Sequence, residues 1–514
     1  MRTSLSIILI VLISFVGISS TFAYAESDTG EGPVPKYRNI EEMSGKRIGM
    51  QVGTVFDVFL KESIPDARIE YYNTFPDEIN ALKASKLDGV ACLESVIIQV
   101  QAQDKEIAYI DEPIGEVPLG FVFPKNKKGK KLAGQMSEFL TRMHESGELD
   151  RLKKVWNETD ESLKTIEDYK SLSAENGTLT FVTEGTFPPF DYFREGELVG
   201  YDVDMAIRFC KEYGYGIKLK DMNFDALMPA IQSGKCDFGA SGIAITAERA
   251  EKVYFSEPDY YQNAYVAVLA ADKSEGSFIS SLRKSFYRTF IKEHRYRLFL
   301  KGILVTVCIT ILSILFGTAL GFLVYLWCRK GGKIANGITR CCVWLVQGMP
   351  VIVLLMFLYY VVFGRTNMSG MSVAVIAFTL TFGASVYSMI LAGVKAVDYG
   401  QTEAAYALGF SDTQTFFGII LPQAASHFMP AYKAEIVTLI KATAVVGYIA
   451  VQDLTKMGDI VRSSTYEAFF PLIAVAIIYF ILAGLLKLAA DGLTAAAVPK
   501  KRSEAEILKG IKTK

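Results

Sequence analysis

The chain has 514 residues, too many for one compact domain, and 51% of them are apolar. Net charge is −1, a balance that gives no ground for a nucleic-acid partner. Only three histidines occur, and no C-x-x-C pair, so no metal centre is expected. The average hides two unlike halves. Up to about residue 297 charged and apolar residues mix as in soluble domains. Beyond it come apolar runs of roughly 17 to 27 residues, enough to cross ~30 Å of hydrocarbon.

Residues 1–25 read as a secretory signal, with Arg2 as the charged start, LSIILIVLISFVGI as the apolar core and Ala23-Tyr24-Ala25 as the cleavage site. An uncleaved anchor helix is the alternative, and either one places the following segment outside the cytoplasm. Cys92, Cys210 and Cys236 fall in that exported part. They read as buried core thiols, with a Cys210–Cys236 disulfide left open.

Residues 37–157 contain GKRIGMQVGTVFDVFL, YYNTFPDEINALKASKLDGVACLESV, LGFVFPKN and GELDRLKKVW. After a linker over 158–177, residues 178–272 run through an alternating strand with a Pro-aromatic turn, TLTFVTEGTFPPFDYF. A helix, GYDVDMAIRFCKEYG, follows, and FDALMPAIQSGKCDFGASGIAITAERAEKVYFSEP continues helix, strand, loop, helix. Alternating β and α elements predict a parallel sheet with ligand at the strand ends. The TAER and FSEP motifs resemble the first lobe of periplasmic amino acid-binding proteins. The 37–157 segments resemble the second lobe, the strand returning to lobe one, and the closing helix. The order is therefore reversed, which implies one circularly permuted two-lobed binder. Two incomplete lobes that pair with other chains are the alternative.

A carboxylate suits Arg249, whose planar guanidinium can donate two hydrogen bonds, and the resemblance gives this arginine that role. Backbone N–H groups at helix starts fit Gly53-Thr54 and the stretch Ser241, Gly242 to Ala244. The resemblance also places Phe187 and Phe224 against the ligand. The family's acid for the ligand amine falls at Leu93, with Glu94 one residue later, and a one-residue shift turns a strand side chain to the other face. Glu94 is the candidate clamp; Glu184, Asp191 and Asp202 are other acids nearby.

Residues 278–297 are basic, and Phe278, Leu282, Phe286 and Phe290 recur every four residues. An amphipathic helix on the membrane surface and a linker helix packed on protein are both consistent with this pattern. Five spans follow, about 298–327, 341–363, 371–397, 436–452 and 468–490. Arg329, Lys330, Lys333 and Arg340 in the first loop and the basic tail 496–514 place these segments inside the cell.

The segment 400–424, GQTEAAYALGFSDTQTFFGIILPQA, then falls in the cytoplasm. It predicts a helix ended by Gly409 and a second one stopped by Pro422, offering Phe410, Phe416 and Phe417 beside Asp412 to a partner's groove. Glu403-Ala404-Ala405, Gly409, Ile420 and Pro422 resemble the coupling loop of ABC importer permeases of the polar amino acid type. The resemblance implies docking on a cytoplasmic ABC ATPase. No G-x-x-x-x-G-K-[ST] occurs, so ATP belongs to that separate subunit and this chain is expected to hold no cofactor and to be no enzyme. The family's Arg-Gly-Thr-Pro reads Gln347-Gly348-Met349-Pro350, and Leu354, Ser388 and Leu391 replace its polar residues. Glu435 and Lys441 remain as candidates in the membrane pathway.

The resulting expectation is multidomain: an α/β two-lobed periplasmic binding protein-like (type II) domain, then an all-α five-helix ABC importer transmembrane domain over 298–495. It describes a cell-membrane importer subunit for a small solute, an amino acid by resemblance, with membrane lipid around it. A homodimer or a second related permease would complete the pore. A ligand-gated channel or a non-transporting sensor is the rival, and the channel would require a re-entrant pore segment.

Overall fold

The computed structural model describes residues 33–271 and 282–497, apart from 284, 365 and 367. The expected signal segment, most of the tail and Phe278 lie outside the described residues.

The strands run in chain order as β1 (Arg47–Gln51), β2 (Arg68–Tyr72), β3 (Gly89–Leu93), β4 (Ile107–Tyr109), β5 (Gly115–Leu119) and β6 (Val122–Pro124). Then come β7 (Thr178–Thr183), β8 (Thr186–Phe187), β9 (Asp191–Arg194), β10 (Glu197–Val199), β11 (Gly216–Asp221), β12 (Phe238–Gly239), β13 (Val253–Phe255) and β14 (Tyr260–Leu269). One sheet has the order β2-β1-β3-β14-β4, with β5 also on β14; another has the order β11-β7-β12-β6-β13. β1 and β3 are almost wholly buried, as parallel strands covered by helices on both faces must be.

These sheets are the cores of two lobes. The chain builds lobe two first, crosses to lobe one between Leu119 and Val122, and returns between Phe255 and Tyr260 as β14. β14 lies antiparallel to β3, with Ala264 opposite Leu93, and to β5, with Tyr260 opposite Leu119. At its far end Pro35 pairs with Ala270, and the Ala271 N–H donates to the Val34 carbonyl. The start of the described chain and the exit from the binding lobes are thus neighbours in space. Cys92, Cys210 and Cys236 are free and buried.

The helical half opens with the 35-residue helix Tyr296–Lys330, about 52 Å long at ~1.5 Å per residue. It packs along Gly370–Lys395, where Gly321 and Gly383 let the backbones meet: a Cβ on Gly321 would lie 2.5 Å from the Gly383 carbonyl oxygen. Among the described residues three helices are long and apolar enough to cross a membrane: Tyr296–Lys330, Gly370–Lys395 and Phe469–Gly492. The other two expected spans are bent pairs. Lys333–Gly348 and Val351–Val362 meet at 108°, and Asp412–Ile449 and Leu454–Thr465 at 57°. The second apolar run is therefore not one helix over 341–363. Pro350 has no N–H to continue the preceding helix, and its ring excludes helical backbone at Met349, which is extended.

The segment before the first long helix packs on protein. Phe286 and Phe290 meet Phe470 at 5.7 and 6.5 Å between ring centres, and Phe290 meets Phe299 at 5.7 Å.

Candidate functional site

The two lobes are closed on one another. Thr246 caps the short helix Ala247–Lys252 by accepting from the Arg249 N–H, which turns the Arg249 side chain back into the cleft. Its Nη1 donates to the Ala244 carbonyl at 2.7 Å, and its Nη2 crosses to the Gly53 carbonyl of lobe two at 2.5 Å. A guanidinium has five N–H donors, so three remain for a ligand. Burial lowers the pKa of Arg249 from its ordinary value, without neutralising so strong a base.

Arg249 lines a cavity with Thr54, Phe187, Phe224, Ser241, Gly242 and Ala244, and with Gln51, Phe75, Glu78 and Leu93 from lobe two. Gly53 takes part through its carbonyl and has a left-handed φ of +83°. Glu94 does not line this cavity. β3 ends at Leu93, which takes the inward position, and Glu94 opens the helix Glu94–Gln103. The expected Gly242 N–H is already used, donating to Asp202 Oδ2 at 3.0 Å. Phe187 is largely packed away, edge-on to Phe75 at 5.7 Å and stacked on Phe190 at 5.9 Å.

Two acids at the lobe interface are wholly buried. Glu184 accepts from the Gln51 amide across the cleft at 2.9 Å. Burial pushes its carboxyl up to about 7, opposed by the nearby Lys456 charge and the Gln51 bond. Glu78 lies on the inner face of Phe75–Lys83, and neither of its oxygens has a hydrogen-bond partner among the described residues. Burial first, then the charges of Glu184 and Asp77, hold it well above the usual carboxylate range. Asp191 and Asp202 are buried too, but do not line the cavity. Glu78 escaped the sequence reading although a signal existed: it follows Phe75 by three residues and precedes Leu82 by four, on one apolar helix face.

The helix Leu454–Thr465 of the membrane half seats across both lobes. Asp453 caps it, accepting from the Thr455 and Lys456 N–H groups. Lys456 Nζ reaches lobe one, 3.2 Å from Asp221 Oδ2 and 3.1 Å from Asn223 Oδ1. Arg462 reaches lobe two, with Nη1 2.5 Å from Asp77 Oδ1. Beyond the helix the buried Tyr466 meets Phe75 edge-on at 6.3 Å, and its carbonyl accepts from Lys83 Nζ at 3.3 Å. Lobe one makes a second contact through Lys235 Nζ, which donates to the Thr366 carbonyl at 3.0 Å.

At the other end of the long helix Tyr296–Lys330 stands the 400–424 segment, as Arg329 shows by pairing with Asp412 at 2.5 Å. Gly400–Ala407 is a helix, Gly409 turns at φ +82°, and Ser411 with Gln414 forms a capping box for Asp412–Thr415. Glu403 and Ala404 are exposed and Ala405 is buried. Phe410 and Phe417 face outward. Phe416 does not: it is buried, stacked on Tyr325 at 5.8 Å with the Arg329 guanidinium 4.2 Å above its ring. Nor does Pro422 stop the second helix. The wide turn Phe416–Ile420 absorbs its missing N–H, and the helix runs on as Leu421–Ala442. On that helix Glu435 is half-buried and Lys441 exposed, and no ion pair joins them among the described residues.

Residues 179–502 match the family described as bacterial extracellular solute-binding proteins, family 3. A Rickettsia bellii protein assigned to a glutamine transport system, the permease GlnP, is 32% identical over 36% of this chain and 86% of its own length. From Bacillus subtilis, the L-cystine transport system permease TcyL is 31% identical over 36% of this chain and 80% of its own. The arginine transport system permease ArtQ of the same organism is 32% identical, with 36% and 84% covered.

Proposed function

The chain belongs to the bacterial extracellular solute-binding proteins, family 3, and joins that domain to an ABC permease; from this premise we propose that it captures an amino acid outside the cell and passes it through its own membrane half. It is a membrane protein with an extracellular binding domain. The observation that carries the mechanism is the helix Leu454–Thr465, whose Lys456 grips lobe one and whose Arg462 grips lobe two. Those two grips are satisfied together when the lobes are closed, so ligand-driven closure favours the docked state. The 400–424 segment, at the opposite end of the helices, then takes up the closure of a separate cytoplasmic ATPase. One such permease supplies half a pore, so two copies or two related permeases assemble. The spans cross five times, with the basic tail inside.

The binding domain is a circular permutation of the two-lobed fold. The pairing of Pro35 with Ala270 supports it, because the break falls where the neighbouring ends could be joined.

The test uses the full chain in lipid nanodiscs, melted against the common L-amino acids, with glutamine, arginine and cystine among them. A binder at a hundred times its Kd adds ~2.7 kcal/mol to the lobes, and Arg249→Ala abolishes that shift. A panel without any shift would sink the amino acid reading.

A further inference from the structure

Leu93 places an apolar side chain where a lobe-two acid was expected to receive the ligand's amine, and Glu94 points elsewhere. The cavity nevertheless has an acid in its wall. Glu78 comes from the neighbouring helix Phe75–Lys83, is 0% exposed, and lacks a hydrogen-bond partner on either oxygen among the described residues. A buried carboxyl without partners costs free energy that a compensating donor would recover. The lobe-two residues that line the cavity with it, Phe75, Ala91 and Leu93 among them, bring no cation, while Arg249 lines the same cavity from lobe one.

We propose that Glu78 is the acceptor for the ligand's ammonium group, so that the cleft holds an α-amino acid as a zwitterion between Arg249 and Glu78. This rests on the reading of the cleft as an amino acid site and names the lobe-two half of it. The clamp has moved from the end of β3 to the inner face of a helix.

A measurable consequence follows from the setting of Glu78. The acids around it are Glu184 from lobe one and Asp77 on its own helix, the latter paired with Arg462; the Cys92 thiol on β3 and the Tyr72 phenol on β2 also sense its charge. In the closed cleft, burial and these neighbours favour the protonated form of Glu78. An incoming ammonium favours the carboxylate, and the proton of the carboxyl passes to solvent. Binding therefore releases a proton.

The experiment is calorimetry on the full chain in nanodiscs, in two buffers of different ionisation enthalpy. The probes are whichever of L-glutamine, L-arginine or L-cystine shifts the melt, and its N-acetyl derivative, which keeps the carboxylate and loses the ammonium. We expect proton release with the amino acid but not with the derivative. Glu78→Gln mimics the protonated acid in shape; it should weaken the amino acid about 30- to 100-fold and remove the release, while leaving the derivative's weaker binding unchanged. Unchanged affinity in Glu78→Gln overturns the assignment, as does wild-type binding without proton release, which needs no variant to fold. If the wild type binds no amino acid at all, the functional reading fails first and this assignment with it.

Discussion

The two ends of the long helices both use ion pairs, and they use them differently. At the cleft, Lys456 and Asp221 leave 5% and 1% of their side chains exposed. At the coupling segment, Asp412 and Arg329 leave 54% and 23%. A buried pair fixes one geometry and is costly to break, whereas an exposed pair contributes little and exchanges freely with water. The cleft end is thus built for one covalently attached partner in one orientation. The 400–424 end keeps Phe410, Phe417 and Tyr406 exposed around a weak pair, as the proposed docking on a separate ATPase requires.

The sharpest way to break this contrast is at the buried pair. Lys456→Met leaves Asp221 uncompensated and should cost the docked state about 3–5 kcal/mol, read as faster hydrogen exchange over residues 454–465. Adding Asp221→Asn, which keeps an acceptor for the Gly185 N–H, should recover most of that loss; if it does not, the pair is not what holds the helix.

Neighbouring aromatic residues test the coupling end. Phe416→Ala removes a buried ring and should destabilise the helices by about 3–5 kcal/mol. Phe417→Ala should stay within about 0.5 kcal/mol in stability yet lower ligand-stimulated ATPase activity in the assembled importer. Equal melting losses in the two variants would erase the distinction between core ring and contact ring.

Protonation sharpens the comparison from the cleft side. Burial raises the carboxyls of Glu184 and Asp259 from their ordinary values of 4.5 and 3.8 to about 7. The folded lobes therefore hold protons that the unfolded chain releases earlier. Stability from these groups is full below pH 4 and is lost as pH rises toward 7. Glu184→Gln should flatten its share of that slope in a pH series of melts. The smallest effect belongs to the exposed pair: Asp412→Asn should change stability by roughly 0.2–1 kcal/mol, and less at high salt.

Much of the binding fold was legible because its strands and helices alternate with local signals, from the TAER turn that places Arg249 to the buried run at β3. The coupling segment was legible for the same reason, through Gly409 and the Ser411 cap. What escaped was set by contacts distant in sequence. Lys456 carries no local signal, because its partner Asp221 lies more than two hundred residues away. Phe416 and Phe417 were indistinguishable until Tyr325 and Arg329 selected one of them. Glu78 was visible as an acid on an apolar helix face, and only the closed lobes show what that face surrounds. The bend at Pro350 was written in the sequence and hidden by its apolar flanks.

The adjacency of Val34 and Ala271 has a mechanical consequence. Both ends of the binding domain leave from lobe two, β14 being the last strand before the membrane half. Lobe one carries no chain end and hangs from two crossing strands. It can swing as a jaw while lobe two stays joined to the membrane half. Because the two halves are one covalent chain, a released domain returns to the same mouth at a high effective concentration. The supply of cargo, rather than the number of carriers, then limits how often the gate is asked to open.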